Sequence, residues 1–398
     1  MTDAGEVAEA VDAAARRSYG RLVAALAAPT RDLALAEDAL AFAFERALEL
    51  WPGAGVPASP EGWLMTVGRH RITDVLRSAA HRTSVVLDEA RDAPAPPPEP
   101  DPFPDRLLAL LFVCAHPAIE PGIRTPLMLQ SVLGVEARAI AAAFAVPAPA
   151  MAQRLVRAKR RIRDAGIAFE VPDRSRWSER LPPVLEAVYG AYAIARSGSA
   201  GPDLREEALH LGRLLADLLP DEPEVLGLAA LLHLAAARDD PGRTVFVPLD
   251  EQDPATWDRA LLARGEEYLH RAAAHGRPGR FQLEAAIQSA HGARAITGEV
   301  DREAIRRLSA ALVRVAPTLG ARVAHAVAVA RVDGPAAGLA VLDDVAGADA
   351  FQPAWAARAA LLAAAGCEAE ADRARQRALE LTVDPLEREH LATRMPRI

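Results

Sequence analysis

The strongest chemical signal in the sequence is a short run of cations. Six of the ten residues from Arg154 to Arg163 are basic, and one of them, Lys159, is the chain's only lysine. Just ahead, Gln153 and Arg154 carry the hydrogen-bonding forks that read base edges, and Arg157, Arg160 and Arg161 are spaced to reach phosphates. A second cluster joins Trp63 to Arg69, His70, Arg71 and Arg77. An aromatic ring beside cations is what a protein needs to hold an unstacked base and track its backbone. Each cluster also has a plainer reading: a solvated helix face for the first, a core tryptophan on an amphipathic helix for the second.

Covalent chemistry has little footing. The sequence holds no GxGxxG, Walker loop, HExxH or GxSxG. Its ten histidines lack the i,i+4 spacing that sets two imidazoles on one helical face for a metal. Cys114 and His116 could pair a thiolate with an imidazole, but Cys114 closes the apolar run LLALLFVC and reads as a buried structural thiol. Glu206-Glu207 and Asp343-Asp344 are helix neighbours, which do not face each other. The expectation is a protein without a metal, a cofactor or covalent chemistry of its own.

The elements that must position the cations read as helices. Glu136–Phe144, the turn Ala145-Val146-Pro147 and Pro149–Arg163 form a helix-turn-helix plan. Its second helix would lead into the major groove with Ala150, Met151, Gln153 and Arg154. Alanine and leucine recur at three and four elsewhere too. The pattern predicts Ala36–Leu50, stopped by Pro52, then Pro60–Arg77 capped by Ser59, Leu107–Cys114 and Pro126–Leu133. Beyond 180 it predicts pairs: Glu206–Leu219 with Glu224–Ala236, Trp257–Ala274 with Gln282–Ala295, Arg302–Ala316 with Gly320–Val332, and Gly334–Val345 with Ala354–Ala365, closed by Glu368–Leu381. Gly334 and Gly366 each end a helix 32 residues apart, near the 34-residue tetratricopeptide period. The fold class is all-α.

Proline marks the divisions. Seven of the fourteen residues from Arg91 to Pro104 are proline, a semi-rigid spacer. It separates a domain at 1–90 from one at 105–171, and a weaker boundary at Val171–Ser175 opens a helical region over 172–398. The chain's net charge is −8, yet residues 105–171 carry +4. One positive stripe in an acidic protein is the footprint of a local nucleic-acid contact rather than a general coat. Two cysteines in 398 residues leave no disulfide scaffold. No apolar run reaches the ~18 residues of a membrane span, and the acidic start MTDAGEVAEA lacks a signal-peptide core. A soluble cytoplasmic protein with no membrane partner is expected.

LAEDALAFAFERALELWP, GVPASPEGWLMTVGRHRITDVLR, LLFVCAHPAI, FAVPAPAMAQRLVRAKRRI and GIAFEVP, in that order, resemble bacterial extracytoplasmic-function sigma factors. DLREEALHLGRLLADLLPDEPEVLGLAALLHL, LDEQDPATWDRALLARG and AVAVARVDGPAAGLAVLDD resemble the long tetratricopeptide-like extension of one group of them. The resemblance covers nearly the whole chain and implies two partners, core RNA polymerase and promoter DNA. It assigns the polymerase clamp to Asp38, Ala41, Phe42, Phe44 and Arg46. It assigns the −10 element to Trp63, Arg69, His70, Arg71 and Arg77. The −35 element falls to Met151, Gln153, Arg154, Arg157, Lys159, Arg160 and Arg161.

The chain departs from that family at the clamp, where Ala41 and an exposed Phe42 stand for a glutamine and an acidic residue, and at His70, which replaces an asparagine. A second reading follows from these departures. In it the chain is a sigma-derived scaffold whose helical array binds a small molecule or acts as an enzyme, with Cys114, His116, Tyr189 and Tyr192 as first candidates.

Overall fold

The computed structural model describes residues 4–83, 103–144, 146–196, 202–239, 245–382 and 384–393. Among them every regular element is helical and there is no strand. The chain divides into two units, Met1–Ala208 and Leu209–Ile398. The first holds α1 (Ala4–Thr30), α2 (Leu33–Ala54), α3 (Pro60–Thr83), α4 (Phe103–Cys114), α5 (Pro121–Ser131), α6 (Ala137–Ala143), α7 (Ala148–Asp164) and α8 (Trp177–Arg196). Helix α9 (Pro202–Leu218) carries the chain across the division. The second holds α10 (Pro223–Ala236), α11 (Arg259–Ala273), α12 (Arg280–Gly292), the single turn α13 (Arg294–Thr297), α14 (Arg302–Val315) and α15 (Leu319–Asp333). It continues with α16 (Pro335–Asp343), α17 (Gln352–Ala364), α18 (Glu368–Leu381) and α19 (Pro385–Thr393).

Each unit is built around one helix that is apolar on every side, since such a helix must be covered on every side. In the first unit that helix is α4, where all of Leu107–Cys114 is buried against α1, α5 and α8. In the second it is α10, PEVLGLAALLHLAA, buried at every position but Glu224 and flanked by α11 and α12. Glu224 has its own task. Its carboxylate accepts from the backbone N–H groups of Phe281 (2.9 Å) and Gln282 (3.2 Å), so α10 caps the open start of α12.

Three expected boundaries move. Pro52 does not stop α2. It lies in the last turn, and the stop is Gly55, at φ 85°, whose N–H bonds Trp51 O at 2.8 Å. Pro126 does not open α5 but sits inside it, buried, five residues after Pro121. Ser59 does cap α3, its Oγ accepting from Gly62 N–H at 3.3 Å. The expected boundary at 171–175 falls inside the first unit. Trp177 stacks on Phe112 of α4 (centroids 6.2 Å, 21° between planes) and donates to Pro172 O at 2.8 Å, which ties this segment and α8 to the core. Most of the proline-rich spacer lies outside the described residues, and its last two, Phe103 and Pro104, already belong to α4.

In the second unit Val323, Ala326, Ala330, Leu342, Val345, Ala354 and Leu361 form one core across α15, α16 and α17. Gly338 lets α15 and α16 approach: a Cβ there would lie 2.4 Å from Ala330 Cβ and 2.8 Å from Ala326 O. Gly320, in the first turn of α15, faces open space. Gly338→Ala therefore costs about 1–3 kcal/mol through overpacking. Gly320→Ala is neutral or gains up to about 1 kcal/mol of helix propensity. Thermal melts of the two variants check this; equal melting temperatures would contradict the close approach.

Candidate nucleic-acid interface

The basic run forms α7, APAMAQRLVRAKRRIRD. Apolar or small residues at 151, 155, 158 and 162 recur every three or four positions, so one face turns inward. The short α6 buries Ile140 and Ala141, and its axis makes 112° with that of α7. Val146 N–H bonds Ala141 O at 2.9 Å and holds the intervening turn. Two helices at such an angle, joined this closely, form a sharp αα-corner.

The inward phase of α7 corrects two of the expected DNA contacts. Met151 is fully buried, a core residue between α7 and its neighbours, and cannot enter a groove. Lys159 is 9% exposed and forms an ion pair with Glu37 of α2. The outward face carries Ala152, Gln153, Val156, Arg157 and Arg160. Val156, 66% exposed, was not singled out in the sequence, where a valine on an amphipathic helix reads as core. Arg154 is half-buried and pairs with Glu120 at 3.5 Å. Arg160 pairs with Asp164 at 3.3 Å, Arg161 donates to Ala118 O at 3.4 Å, and Arg163 reaches Asp32 at 3.5 Å. Glu120, Asp164 and the Ala118 carbonyl are exposed or backbone groups, and only Asp32 is half-buried, so the guanidiniums of Arg157, Arg160 and Arg161 keep most of their reach toward solvent.

Glu37 is the meeting point of the first unit. Its Oε2 takes Lys159 Nζ, and its Oε1 accepts from Ser131 Oγ of α5 at 2.8 Å. Burial, and after it the Glu37 charge, pushes the Tyr19 phenol of α1 and the Cys114 thiol of α4 well above their usual ranges; Lys159 acts the other way on Cys114. Three helices, α2, α5 and α7, thus meet at one carboxylate, whose field reaches Tyr19 of α1 and Cys114 of α4.

On α2 and α3 the expected polymerase and −10 residues are spread over several faces. Asp38 and Ala41 are exposed; Phe44 and Arg46 are half-buried, and Arg46 is paired with Glu49. Phe42 is not the exposed ring expected: it is half-buried, with Arg71 of α3 at 4.8 Å from its centroid. Trp63 sets its ring edge-on to the buried Trp51 (5.4 Å, 69°). Arg69, His70, Arg71 and Arg77 are all exposed. At about 100° per residue Trp63 and His70 share a face of α3, whereas Arg69 lies about 120° away. His70, rather than Arg69, is therefore the polar neighbour of Trp63 on that face. Exposed Leu48, Leu50 and Leu76 were not legible as surface residues, because leucine in a helix reads as core.

The residues of the small-molecule reading do not assemble. Cys114 is completely buried and held as a thiol, which is no nucleophile. His116 accepts from Ala118 N–H through Nδ1 at 3.1 Å. Burial, then Arg180 and Arg124, outweigh Glu179 and hold its imidazole below the usual range. Tyr192 is 3% exposed, while Tyr189 lines a separate hollow of about 290 Å³ beside Phe144 and Thr125.

Removing one partner of the Glu37–Lys159 pair leaves a charge in a nearly closed site, at a cost on the order of 3 kcal/mol. Lys159→Met lowers the stability of the first unit by that order, and the double variant Glu37→Leu/Lys159→Met recovers most of the loss. Denaturant melts decide it; a double variant as unstable as the sum of the singles would refute the pairing.

Comparison with known proteins adds kinship without an activity. Residues 180–273, from α8 through α11, match a family of unknown function (DUF6596). An uncharacterized protein of Rhizobium meliloti (strain 1021) is 37% identical over 359 residues, which span 86% of this chain and 84% of that protein. No solved structure matches. With that identity over that length, the chain belongs to the same protein family as the Rhizobium protein.

Proposed function

We propose that this protein is a sigma-factor-like transcription initiation protein that binds core RNA polymerase and directs it to promoter DNA. The observation that carries the reading is the outward face of α7, where Gln153, Arg157 and Arg160 stand free of the core on the second helix of the sharply bent α6–α7 pair. Gln153 is the base-reading side chain and Arg157, Arg160 and Arg161 are the phosphate contacts. Met151 and Lys159 support that surface from behind. In this reading residues 1–90 are region-2-like, with α2 facing the polymerase and Trp63 and His70 of α3 holding an unstacked base. Residues 105–171 are region-4-like. Residues 172–398 are in this reading a tetratricopeptide-like modulating extension, which the consecutive packing of α10–α12, α14–α16 and α17–α18 supports. The protein works in the cytoplasm.

Reading two promoter elements at once separates α7 from α2, so the Glu37–Lys159 pair is the contact that such an opening must break. The proteins that do the chemistry of transcription lie outside this chain, whose task is positioning. Its binding energy on DNA is dominated by phosphate contacts, and each neutralised phosphate steepens the salt dependence by about 0.9 in the log–log slope.

Co-migration with core RNA polymerase and titration of promoter DNA test the reading. A stable complex is expected, with DNA affinity falling steeply in salt. Gln153→Ala loses about 1–3 kcal/mol of discrimination between sequences. Arg160→Ala weakens every sequence alike and flattens the salt slope by about 1. A folded protein that binds neither polymerase nor DNA would overturn the proposal and favour the sigma-derived scaffold instead.

A further inference from the structure

Segments distant in sequence wall a cleft of about 870 Å³ within the second unit: residues 248–250, α12 with α13, the start of α14, and α15. The volume suits a small organic molecule, since ligand pockets run to roughly 300–1,000 Å³. Its walls are aliphatic, with Ile287 from α12, Ile305 from α14 and Val327 from α15. Its charged groups carry a net charge of one positive: Arg294, Arg302 and Arg331 stand against Asp250 and Glu299, beside His291 and Ser309. Residues 209–398 carry 22 basic and 27 acidic side chains, so three guanidiniums in one hollow run against the composition around them.

Each guanidinium is held differently. Arg294 donates to the carbonyl oxygens of Asp250 (2.9 Å) and Gln252, and lies 5.3 Å from the Trp257 ring. Carbonyls and a ring fix its position without cancelling its charge. Arg331 pairs with the half-exposed Asp250 carboxylate. Arg302, exposed at the start of α14, has no ion pair or side-chain hydrogen bond among the described residues. His291, also on the wall, reports the local field: burial first, then Arg238, Arg331 and Arg294 against Asp250 alone, bring its imidazole down to about 4. It is neutral at pH 7 and offers a hydrogen bond rather than a charge.

We propose that this cleft binds a small amphipathic anion, its carboxylate or phosphate head on Arg302 and Arg331 and its apolar body against Ile287, Ile305 and Val327. Planar guanidiniums match both head groups through paired N–H donors. A cationic ligand meets net positive charge there, and a neutral apolar one leaves the Arg302 guanidinium unanswered. The assignment goes beyond the reading of α7 and does not depend on it, because it needs neither DNA nor polymerase.

The test is titration calorimetry and thermal melting of the full chain with octanoate, phenylbutyrate and octyl phosphate. Octyltrimethylammonium and 1-octanol serve as charge-reversed and neutral controls. At least one anion binds, one per chain, and raises the melting temperature; the cation does not bind, and the alcohol binds at least about tenfold more weakly. Whether the carboxylates or the phosphate bind more tightly decides the head group. Arg302→Gln weakens the anion about tenfold, and Ala324→Trp, at an exposed position on the wall, blocks it. Neither substitution touches the core, so both variants melt like the parent without ligand. Binding by none of the anions, equal binding of anion and cation, or undiminished binding in both variants would overturn the proposal.

Discussion

One ion pair organises the first unit. Glu37 and Lys159 lie 122 residues apart in sequence, and their contact fixes the rotation of α7 about its own axis. With Lys159 turned inward beside Met151, Leu155, Ala158 and Ile162, Arg157, Arg160, Arg161 and Arg163 face out and Arg154 lies at the border. A charge pair in so closed a site is a weak source of net stability but a strong source of specificity, because any arrangement that separates the partners strands a buried charge. Ser131 supplies a further hydrogen bond to the carboxylate, and the neutral Tyr19 and Cys114 border the pair. A lone lysine in a chain otherwise rich in arginine suits this place: a compact ammonium meets one carboxylate oxygen, where a guanidinium fork would demand two.

The two units share a construction principle. Each wraps a helix apolar on all sides, α4 or α10, and each uses a carboxylate at a point where several helices converge. In the first unit Glu37 answers a lysine. In the second Glu224 answers the unpaired N–H groups at the start of α12. The outer surfaces then carry charge of opposite sense to their surroundings, a basic face on α7 and a cationic cleft among α12, α14 and α15, within a chain of net charge −8.

How much of this was legible in the sequence depends on the range of the interaction. LLALLFVC and LGLAALLHLAA announce two buried helices by local composition alone, and Glu368–Leu381 matches the observed helix at both ends. The 136–164 hairpin is equally local. The inward face of α7 is written in the spacing of Met151, Leu155, Ala158 and Ile162, but which of six cations in ten turns inward with them is hidden until Glu37 is seen. Trp177 on Phe112 moved a division that a proline and a charged stretch suggested. The cleft cations at 294, 302 and 331 sit on three elements with no motif to join them. Leu48, Leu50, Leu76 and Val156 mislead in the opposite direction, since a helical period assigns aliphatic side chains to a core without knowing where the core ends.

Because Lys159 is the only lysine, one measurement reads the central contact directly: the rate at which an amine-reactive acylating reagent modifies it in the folded full-length chain, compared with the same residue in the chain unfolded by urea. Peptide mass analysis gives both rates at a single amine. A lysine on the inward face of α7, ion-paired to Glu37, is modified at least about tenfold more slowly when folded, and Glu37→Gln removes most of that protection. Equal rates in the folded and unfolded chain would contradict the buried pair, and with it the outward orientation of Gln153, Arg157 and Arg160 on which the functional reading rests.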